Sequence, residues 1–203
     1  MVPNVLRGKE LAVVDVEGNG QTPPEIIEIA ILPVAGDSVH VDQMRSWLIR
    51  PKQPITPIVT RKVHRIRNSD VAHSPTWPEV SDAIEPVLAG RVLVAHNAIV
   101  ERRVIGDHLP RWAPPMVLDT LKLAKAIWPQ LAGGYALDKL VTHAQLDITA
   151  VTGHRHRAAW DTWAAWQLLT RLLDESALDW DELVQVAAPI EFVPQAEPDG
   201  GLW

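Results

Sequence analysis

The sequence predicts an α/β fold in which a mixed sheet, an antiparallel meander followed by parallel strands, is flanked by helices. One observation is a succession of three apolar segments within the first 50 residues, joined by short connections that contain Gly, Pro and Asp. The other is the alternation of short apolar strands with helical patterns from residue 91 onward, which is typical of parallel strands.

The meander consists of three predicted strands. Residues 11–14 are apolar on both faces, as in a buried central strand, and they lead into Asp15-Val16-Glu17-Gly18. A second strand over 25–34 is rich in isoleucine and a third covers 41–49. Residues 51–75 contain several prolines and are expected to form a loop with one or two helical turns.

The second half of the chain is predicted to alternate between strands and helices, with Thr76 and Asn97 as helix caps. The predicted elements are, in order, a helix at 76–88, a strand at 91–95, a helix after Asn97, a strand at 116–118, helices at 120–128 and 136–146, and a long helix from His156 to about residue 173.

Length and composition favour one soluble domain at 1–188 followed by a flexible tail at 189–203, where prolines, glycines and acids cluster. The chain has no cysteine, which excludes disulfides, zinc-thiolate sites and thiol nucleophiles and fits a cytoplasmic protein. No signal peptide is expected, because residues 1–10 contain no apolar core of sufficient length, and no membrane span is expected, because no apolar stretch reaches about 18 residues.

The net charge bears on the kind of partner. With a formal charge of −6 at pH 7 and a pI of about 5.7, the chain is unlike proteins that coat long nucleic acids through many Lys and Arg contacts. A polynucleotide contact is therefore expected to be short. The acidic balance is compatible with a site that collects carboxylates around divalent ions, since the ions supply positive charge.

Four acidic residues are predicted to converge inside the fold. Asp15 and Glu17 lie two positions apart at a strand end, so both carboxylates point to the same face. Glu101 shares a helical stripe with apolar residues, and Asp161 is the single charge on the buried stripe of the last long helix. Because buried unpaired carboxylates are costly, an oxygen-ligand site for hard metal ions is the economical explanation.

Other interpretations stay open for each of these residues. Asp15 and Glu17 also suit an ordinary turn after a strand, and Glu101 suits a buried salt bridge with a neighbouring arginine. His156 precedes Asp161 by five residues in a basic loop and could be a solvated loop residue. Beside a metal site, however, a group that titrates near neutral pH is suited to act as a general base.

Three ordered motifs resemble those of the DEDDh exonucleases, a family with a ribonuclease-H-like fold that includes polymerase proofreading subunits. The motifs are Asp15-Val16-Glu17, His96-Asn97-Ala98-Ile99-Val100-Glu101 and His156-Arg157-Ala158-Ala159-Trp160-Asp161, within a similarity that covers about residues 10–173. The chain departs from the family pattern at Glu101, where Asp is usual, at Val100, where Phe is usual, and at Arg65, where Gly is frequent.

The resemblance implies a metal-dependent 3′→5′ exonuclease that hydrolyses terminal phosphodiesters of single-stranded or short nucleic acid. It implies that Asp15, Glu17, Glu101 and Asp161 hold two divalent ions, Mg²⁺ or Mn²⁺, that Glu17 also orients the reacting groups, and that His156 is the general base. It further implies substrate contacts by Gly18, His96 and Asn97. The expected partner is the 3′ end of single-stranded DNA or RNA, or a short nucleotide, and not a membrane.

Two rival functions remain open at the level of the sequence. One is a hydrolase of mononucleotides or dinucleotides that uses the same metal site, which the acidic pI favours slightly. The other is a catalytically decayed module that binds nucleic acid or a protein. A homodimer and a replication or repair partner are likewise open alternatives.

Overall fold

The computed structural model describes residues 1–194 of the 203, and its central element is a five-stranded mixed sheet. The strands, in chain order, are β1 (Leu11–Gly18), β2 (Ile26–Val34), β3 (Arg45–Leu48), β4 (Val92–Ala95) and β5 (Val117–Asp119). They lie in the order β3-β2-β1-β4-β5, with antiparallel pairing among β1, β2 and β3 and parallel pairing among β1, β4 and β5. The predicted meander followed by parallel strands is thus confirmed.

Helices cover both faces of the sheet. Within residues 1–194 they are α1 (Pro57–Lys62), α2 (Asn68–Val71), α3 (Trp77–Leu88), α4 (Ala98–His108), α5 (Thr120–Ile127), α6 (Leu137–His143), α7 (Ala158–Ser176) and α8 (Trp180–Ala187). The long helix α7 packs on β1 and β2, and α5 and α6 pack against α7. The helix α3 contacts β2, and α4 contacts β4.

Side chains of β1 alternate between the two faces, so each face has its own apolar core. Leu11 and Val13 belong to the core that includes α7, whereas Ala12 and Val14 belong to the core that includes α3 and α4. Continuing from Val13 in steps of two, Asp15 and Glu17 lie on the face that α7 covers.

The parallel strands β1, β4 and β5 end at the same edge of the sheet, because β4 aligns with both of its neighbours. The antiparallel strand β2 begins at this edge and places Glu28 directly opposite Glu17. Converging carboxyl ends of strands form the usual crevice for ligands in α/β sheets.

Glu28 joins this edge of the sheet to the start of α7. Its carboxylate accepts hydrogen bonds from Arg157 Nη2 at 2.7 Å, from Arg157 Nε at 3.0 Å and from the Ala158 backbone N at 3.0 Å. A bidentate contact of this kind is the strong geometry for a guanidinium and a carboxylate. Since Glu17 and Glu28 are directly opposed like charges, Arg157 also offsets their repulsion.

Several elements differ from the sequence prediction. β3 starts at Arg45 rather than at residue 41, because residues 41–43 form a 3-10 turn. α7 starts at Ala158 rather than His156, because His156 has a φ of 61° and lies outside the helix. The helix α8 is absent from the prediction, although Asp179 and Glu182 form a capping box at its start.

The segment predicted as a tail begins with a 3-10 turn, Ile190–Phe192, in which Glu191 forms an ion pair with Arg102 of α4. Residues 195–203 of that segment lie outside the described residues. Among the described helices, none combines the length and apolarity needed to cross a membrane.

We expect Arg157→Ala to destabilise the protein by about 3 kcal/mol, because Glu28 would then stay buried beside Glu17 without its cation. Urea unfolding of the metal-free protein measures this. Arg171→Ala removes an exposed ion pair within α7 and serves as the control, with an expected change below about 1 kcal/mol. Equal effects of the two substitutions would contradict a structural role for the Glu28 pair.

Candidate active site

Carboxylates from three elements converge at the end of β1. Asp15 and Glu17 belong to β1, whereas Glu101 and Asp161 lie in the first turns of α4 and α7. Glu17, Glu101 and Asp161 are each at most 8% exposed. The ligand atoms of Glu17, His156 and Asp161 lie within 4.8 Å of one another. The tertiary structure therefore brings Glu17, Asp161 and His156 together, with Asp15 and Glu101 as electrostatic neighbours of these acids.

The start of α7 positions His156 against Asp161. The backbone N of His156 donates a hydrogen bond to Asp161 Oδ2 at 2.7 Å. His156 adopts a left-handed φ of 61°, a conformation that is uncommon for residues other than glycine and that clusters at functional sites. Because this bond uses the backbone, it leaves the imidazole available. Burial lowers the pKa of His156, so the ring is neutral and able to accept a proton near neutral pH.

Burial and mutual repulsion dominate the electrostatics of the β1 acids. Burial, followed by the charges of Asp161 and Glu101, raises the pKa of Asp15 well above its ordinary value. Burial, followed by the charge of Asp161, raises the pKa of Glu17 to about 8. Both causes disfavour the ionised form of these carboxylates in the absence of a cation.

The two helix acids shift in the same direction. Burial raises the pKa of Glu101 to about 8, although a hydrogen bond with its own backbone opposes the shift. Burial raises the pKa of Asp161 to about 7, although the hydrogen bond from His156 opposes the shift. A bound cation would reverse both shifts, because positive charge favours the ionised form.

Two carboxylate oxygens in the cluster lack partners. Asp15 Oδ2 and Glu101 Oε2 are buried and have no hydrogen-bond partner among the described residues. Buried polar atoms of native proteins are nearly always paired, so orphaned oxygens require an explanation. Carboxylate oxygens are the ligands preferred by hard divalent ions. The residues present therefore fit a divalent metal site at the end of β1.

The three residues predicted to contact substrate have different surroundings. His96 Nε2 donates to the Tyr135 carbonyl at 2.9 Å and Nδ1 lies 3.0 Å from the Thr120 hydroxyl, so both ring nitrogens are engaged within the chain. This geometry favours a structural role over the predicted substrate contact. Asn97 is exposed and in a left-handed conformation, and Gly18 lies next to Glu17, where the register between β1 and β2 shifts.

Asn97 also differs from its predicted role as a side-chain helix cap. Its side chain makes no capping hydrogen bond to α4. Its backbone N instead donates to Asp119 Oδ1 at 2.9 Å, and the same oxygen accepts from Leu121 N at 2.8 Å. Asp119 therefore caps α5 and fixes the turn that precedes Glu101.

Sequence reasoning missed three residues at the site. Glu28 and Arg157 form the ion pair between the sheet and the start of α7 that is described above. His64 is buried, with its Nδ1 accepting a hydrogen bond from Ile66 N at 3.0 Å, and its electrostatic neighbours include Glu28, Arg157 and His156. A signal for Glu28 was present, because a charge in the apolar second strand is unusual unless it has a partner.

Comparisons with known proteins agree with this geometry. The family model described as exonuclease (RNase_T) matches residues 12–169. Exodeoxyribonuclease 10 of Escherichia coli (strain K12) is 31% identical over 177 residues, which cover 87% of this chain and 74% of that protein. DNA polymerase III subunit epsilon of Treponema pallidum (strain Nichols) is 29% identical over 168 residues, which cover 80% of this chain and 76% of that protein.

Solved structures show the same fold. The structure of exonuclease X in complex with 5′ overhanging duplex DNA matches with a TM-score of 0.71 and 29% identity, covering 87% of this chain and 98% of that chain. The nuclease domain of 3′hExo, a DEDDh family member bound to rAMP, matches in fold with a TM-score of 0.68 and 14% identity. The match covers 89% of this chain and 96% of that chain. The chain belongs to the DEDDh-type 3′→5′ exonucleases and has their ribonuclease-H-like fold.

Proposed function

We propose that this exonuclease hydrolyses the terminal phosphodiester at the 3′ end of single-stranded DNA or RNA with two divalent ions, Mg²⁺ or Mn²⁺. The observation that supports this proposal is the carboxylate cluster, in which Asp15 and Glu101 each have a buried oxygen without a hydrogen-bond partner in residues 1–194. A decayed binding module would have no need to retain three buried acids and the half-buried Asp15, whose repulsion destabilises the fold.

Asp15, Glu17, Glu101 and Asp161 are the residues that would hold the ions. When bound, the ions would neutralise these carboxylates and stabilise the negative charge that develops on the phosphoryl group. The ring of His156 would take the proton of the attacking water, since it lies beside Glu17 and Asp161 and is neutral near pH 7. The His156 backbone keeps Asp161 oriented during this transfer.

One assay tests the proposed reaction. Single-stranded DNA and RNA labelled at the 5′ end are incubated with the purified protein and Mg²⁺, Mn²⁺ or EDTA. Stepwise shortening from the 3′ end that requires metal supports the proposal. Phosphate release from a mononucleotide without shortening of the oligomer would instead support the small-nucleotide hydrolase, and no reaction on any substrate would support the decayed module.

Asp15→Asn and Asp161→Asn are expected to leave less than about a tenth of wild-type activity, because each removes a charge that holds the ions. Without metal, each is expected to raise the melting temperature at pH 8, because it relieves repulsion within the cluster. Asp42→Asn, which changes an exposed carboxylate, serves as the control.

The pH dependence of stability follows from the raised pKa values. The pKa values of Glu17 and Glu101 are raised to about 8. The stability that these two protonated carboxyl groups contribute is therefore fully present below their ordinary pKa values and is lost as the pH rises through about 8. In EDTA the wild-type melting temperature is therefore expected to fall over that range, and Mg²⁺ is expected to prevent the fall. A flat profile in EDTA, or active Asn variants, would contradict the metal assignment.

His156→Ala is expected to lower turnover by about 10²–10⁴-fold, the usual effect of losing a general base. The wild-type rate is expected to rise with pH through a titration below about 6.5, because burial lowers the pKa of this ring. Steady-state rates across pH measure both effects, and His73→Ala is the exposed control. If the variant keeps the wild-type pH profile, another group is the base.

Glu101→Asp is expected to increase the rate with Mg²⁺ relative to that with Mn²⁺. The longer glutamate enters from α4, whose position is fixed by packing, so we expect its carboxylate to be displaced as a ligand. Mg²⁺ demands near-ideal octahedral geometry and therefore suffers more from such a displacement. The measurement is the ratio of rates in the two metals. Glu101→Ala is expected to be slower with either ion, and wild-type rates in that variant would exclude Glu101 as a ligand.

A further inference from the structure

A cavity of about 490 Å³ lies on the side of the sheet that packs against α3 and α4. Its lining includes Ile26 at the start of β2, Ile49 just after β3 and Trp77 at the start of α3, and these residues pack in the core on that side. Its described lining residues include neither His156 nor any of the proposed metal ligands. This cavity, the Trp77 pocket, is therefore distinct from the candidate active site.

Trp77 and His108 hold the walls of the Trp77 pocket in place. Trp77 Nε1 donates a hydrogen bond to the His108 carbonyl at 3.1 Å, and the two rings meet edge to face with centroids 4.8 Å apart. His108 Nδ1 donates to the Val104 carbonyl at 2.8 Å, and its Nε2 accepts from Ile26 N at 3.3 Å. These bonds join α3, α4 and β2, so the cavity is formed in advance of any occupant. Apolar lining is completed by Pro23, Pro51 and Pro78.

Charged side chains in the lining favour an acidic occupant on the side of the loop after β3. Arg50 and Lys52 are exposed and form no ion pair within residues 1–194. The carboxylate of Glu25 is engaged by its own surroundings, because it accepts hydrogen bonds from the backbone N of Lys52 and of Gln53 at 2.8 Å each. Asp107, an exposed acid of α4, also lines the pocket. An occupant with apolar side chains and an acidic neighbour for Arg50 and Lys52 therefore suits the Trp77 pocket.

Residues 195–203 of the same chain have this chemistry. They contain Glu197 and Asp199, no Lys or Arg, and the large apolar neighbours Leu202 and Trp203. Pockets for drug-sized groups usually measure about 300–1,000 Å³, so the Trp77 pocket has room for an indole ring beside an aliphatic side chain. Aromatic side chains dominate the energetics of contact surfaces because each buries a large apolar area.

The last described residues lie against α4, the helix whose far end lines the Trp77 pocket. Glu191 forms an ion pair with Arg102 at 3.2 Å, and the Arg102 guanidinium lies 5.0 Å from the centre of the Phe192 ring. His108, at the end of the same helix, is about 9 Å further along the helix axis. Residues 195–203 can span about 30 Å when extended, so their length suffices to reach the pocket.

We propose that residues 195–203 bind back onto their own domain, with Leu202 and Trp203 in the Trp77 pocket and Asp199 facing Arg50 and Lys52. The bound segment crosses α4, the helix that carries Glu101, and adds to the packing that fixes this helix. The proposal goes beyond the proposed function and does not rest on it, because the contact requires neither metal nor substrate.

The test is disulfide trapping in the full chain, which has no cysteine of its own. Gln53→Cys places one thiol at the Trp77 pocket, and Gly201→Cys places the other beside Leu202. A disulfide requires Cα atoms within about 7 Å of each other, so its rate of formation reports how often the segment occupies the pocket. The products are resolved by non-reducing electrophoresis and located by peptide mass spectrometry.

Ala83→Cys combined with Gly201→Cys is the matched control. Ala83 is exposed on α3, about 9 Å along the helix axis from Trp77, and does not line the pocket. We expect the intramolecular disulfide to form at least about tenfold faster in the pocket pair than in this control, because a bound segment raises the local thiol concentration. Each rate is normalised to the reaction of the single-cysteine variant with a soluble disulfide, which corrects for thiol reactivity. Melting temperatures check the folding of all variants.

Side-chain changes and a competing peptide test whether the pocket recognises Leu202 and Trp203. In the pocket pair, Trp203→Ala is expected to lower the rate to that of the control, whereas Trp203→Phe keeps the faster rate because an aromatic ring still fills the pocket. An excess of a synthetic peptide of residues 195–203, amidated at its carboxyl end, is expected to slow the disulfide. The same peptide with Leu202→Ala and Trp203→Ala is expected to have no effect.

Equal rates in the pocket pair and the control would overturn the proposal, as would a pocket-pair rate that neither Trp203→Ala nor the peptide changes. Disulfide-linked dimers as the main product would also overturn it, because they would assign the Trp77 pocket to a second copy of the chain. These readouts involve no hydrolysis, so they leave the proposed function to its own assay.

Discussion

The repulsion among buried carboxylates at one edge of the sheet is the constraint on which the rest of the structure depends. Glu17 and Glu28 face each other across β1 and β2, and Asp161 approaches both from α7. Burial removes the screening that water would supply, so each negative charge destabilises the next. The fold tolerates this edge because Arg157 neutralises Glu28 and because the remaining acids suit a bound cation.

The same arrangement sets the geometry at the start of α7. Glu28 fixes Arg157 and Ala158 by direct hydrogen bonds, so the first turn of the helix is tied to the sheet. The residue before this turn, His156, then lies in a left-handed conformation, and its backbone reaches Asp161. The ion pair between Glu28 and Arg157 therefore stabilises the fold. It also fixes where His156, the proposed base, lies relative to Asp161, a proposed metal ligand.

Charge is separated over a short distance in this molecule. Acidic side chains are gathered inside, at the strand ends, whereas Arg61, Lys62, Arg65 and Arg155 line the surface immediately outside. In the function proposed above, cationic side chains would offset the charge of the nucleic-acid backbone, and divalent ions held by the acids would act at the bond that breaks. The net charge of −6 therefore does not describe the local charge on either side of the strand ends.

Local periodicity in the sequence determined the class of fold and the acids of the site. The period of two in β1 places Asp15 and Glu17 on one face, and the helical stripes of α4 and α7 turn Glu101 and Asp161 inward, because backbone geometry alone sets these directions. Only the tertiary structure decided that Glu28 pairs with Arg157, 129 residues away, and that both ring nitrogens of His96 are engaged. Strand register and helix docking create such contacts, and they depend on how the whole core packs, which no local pattern encodes.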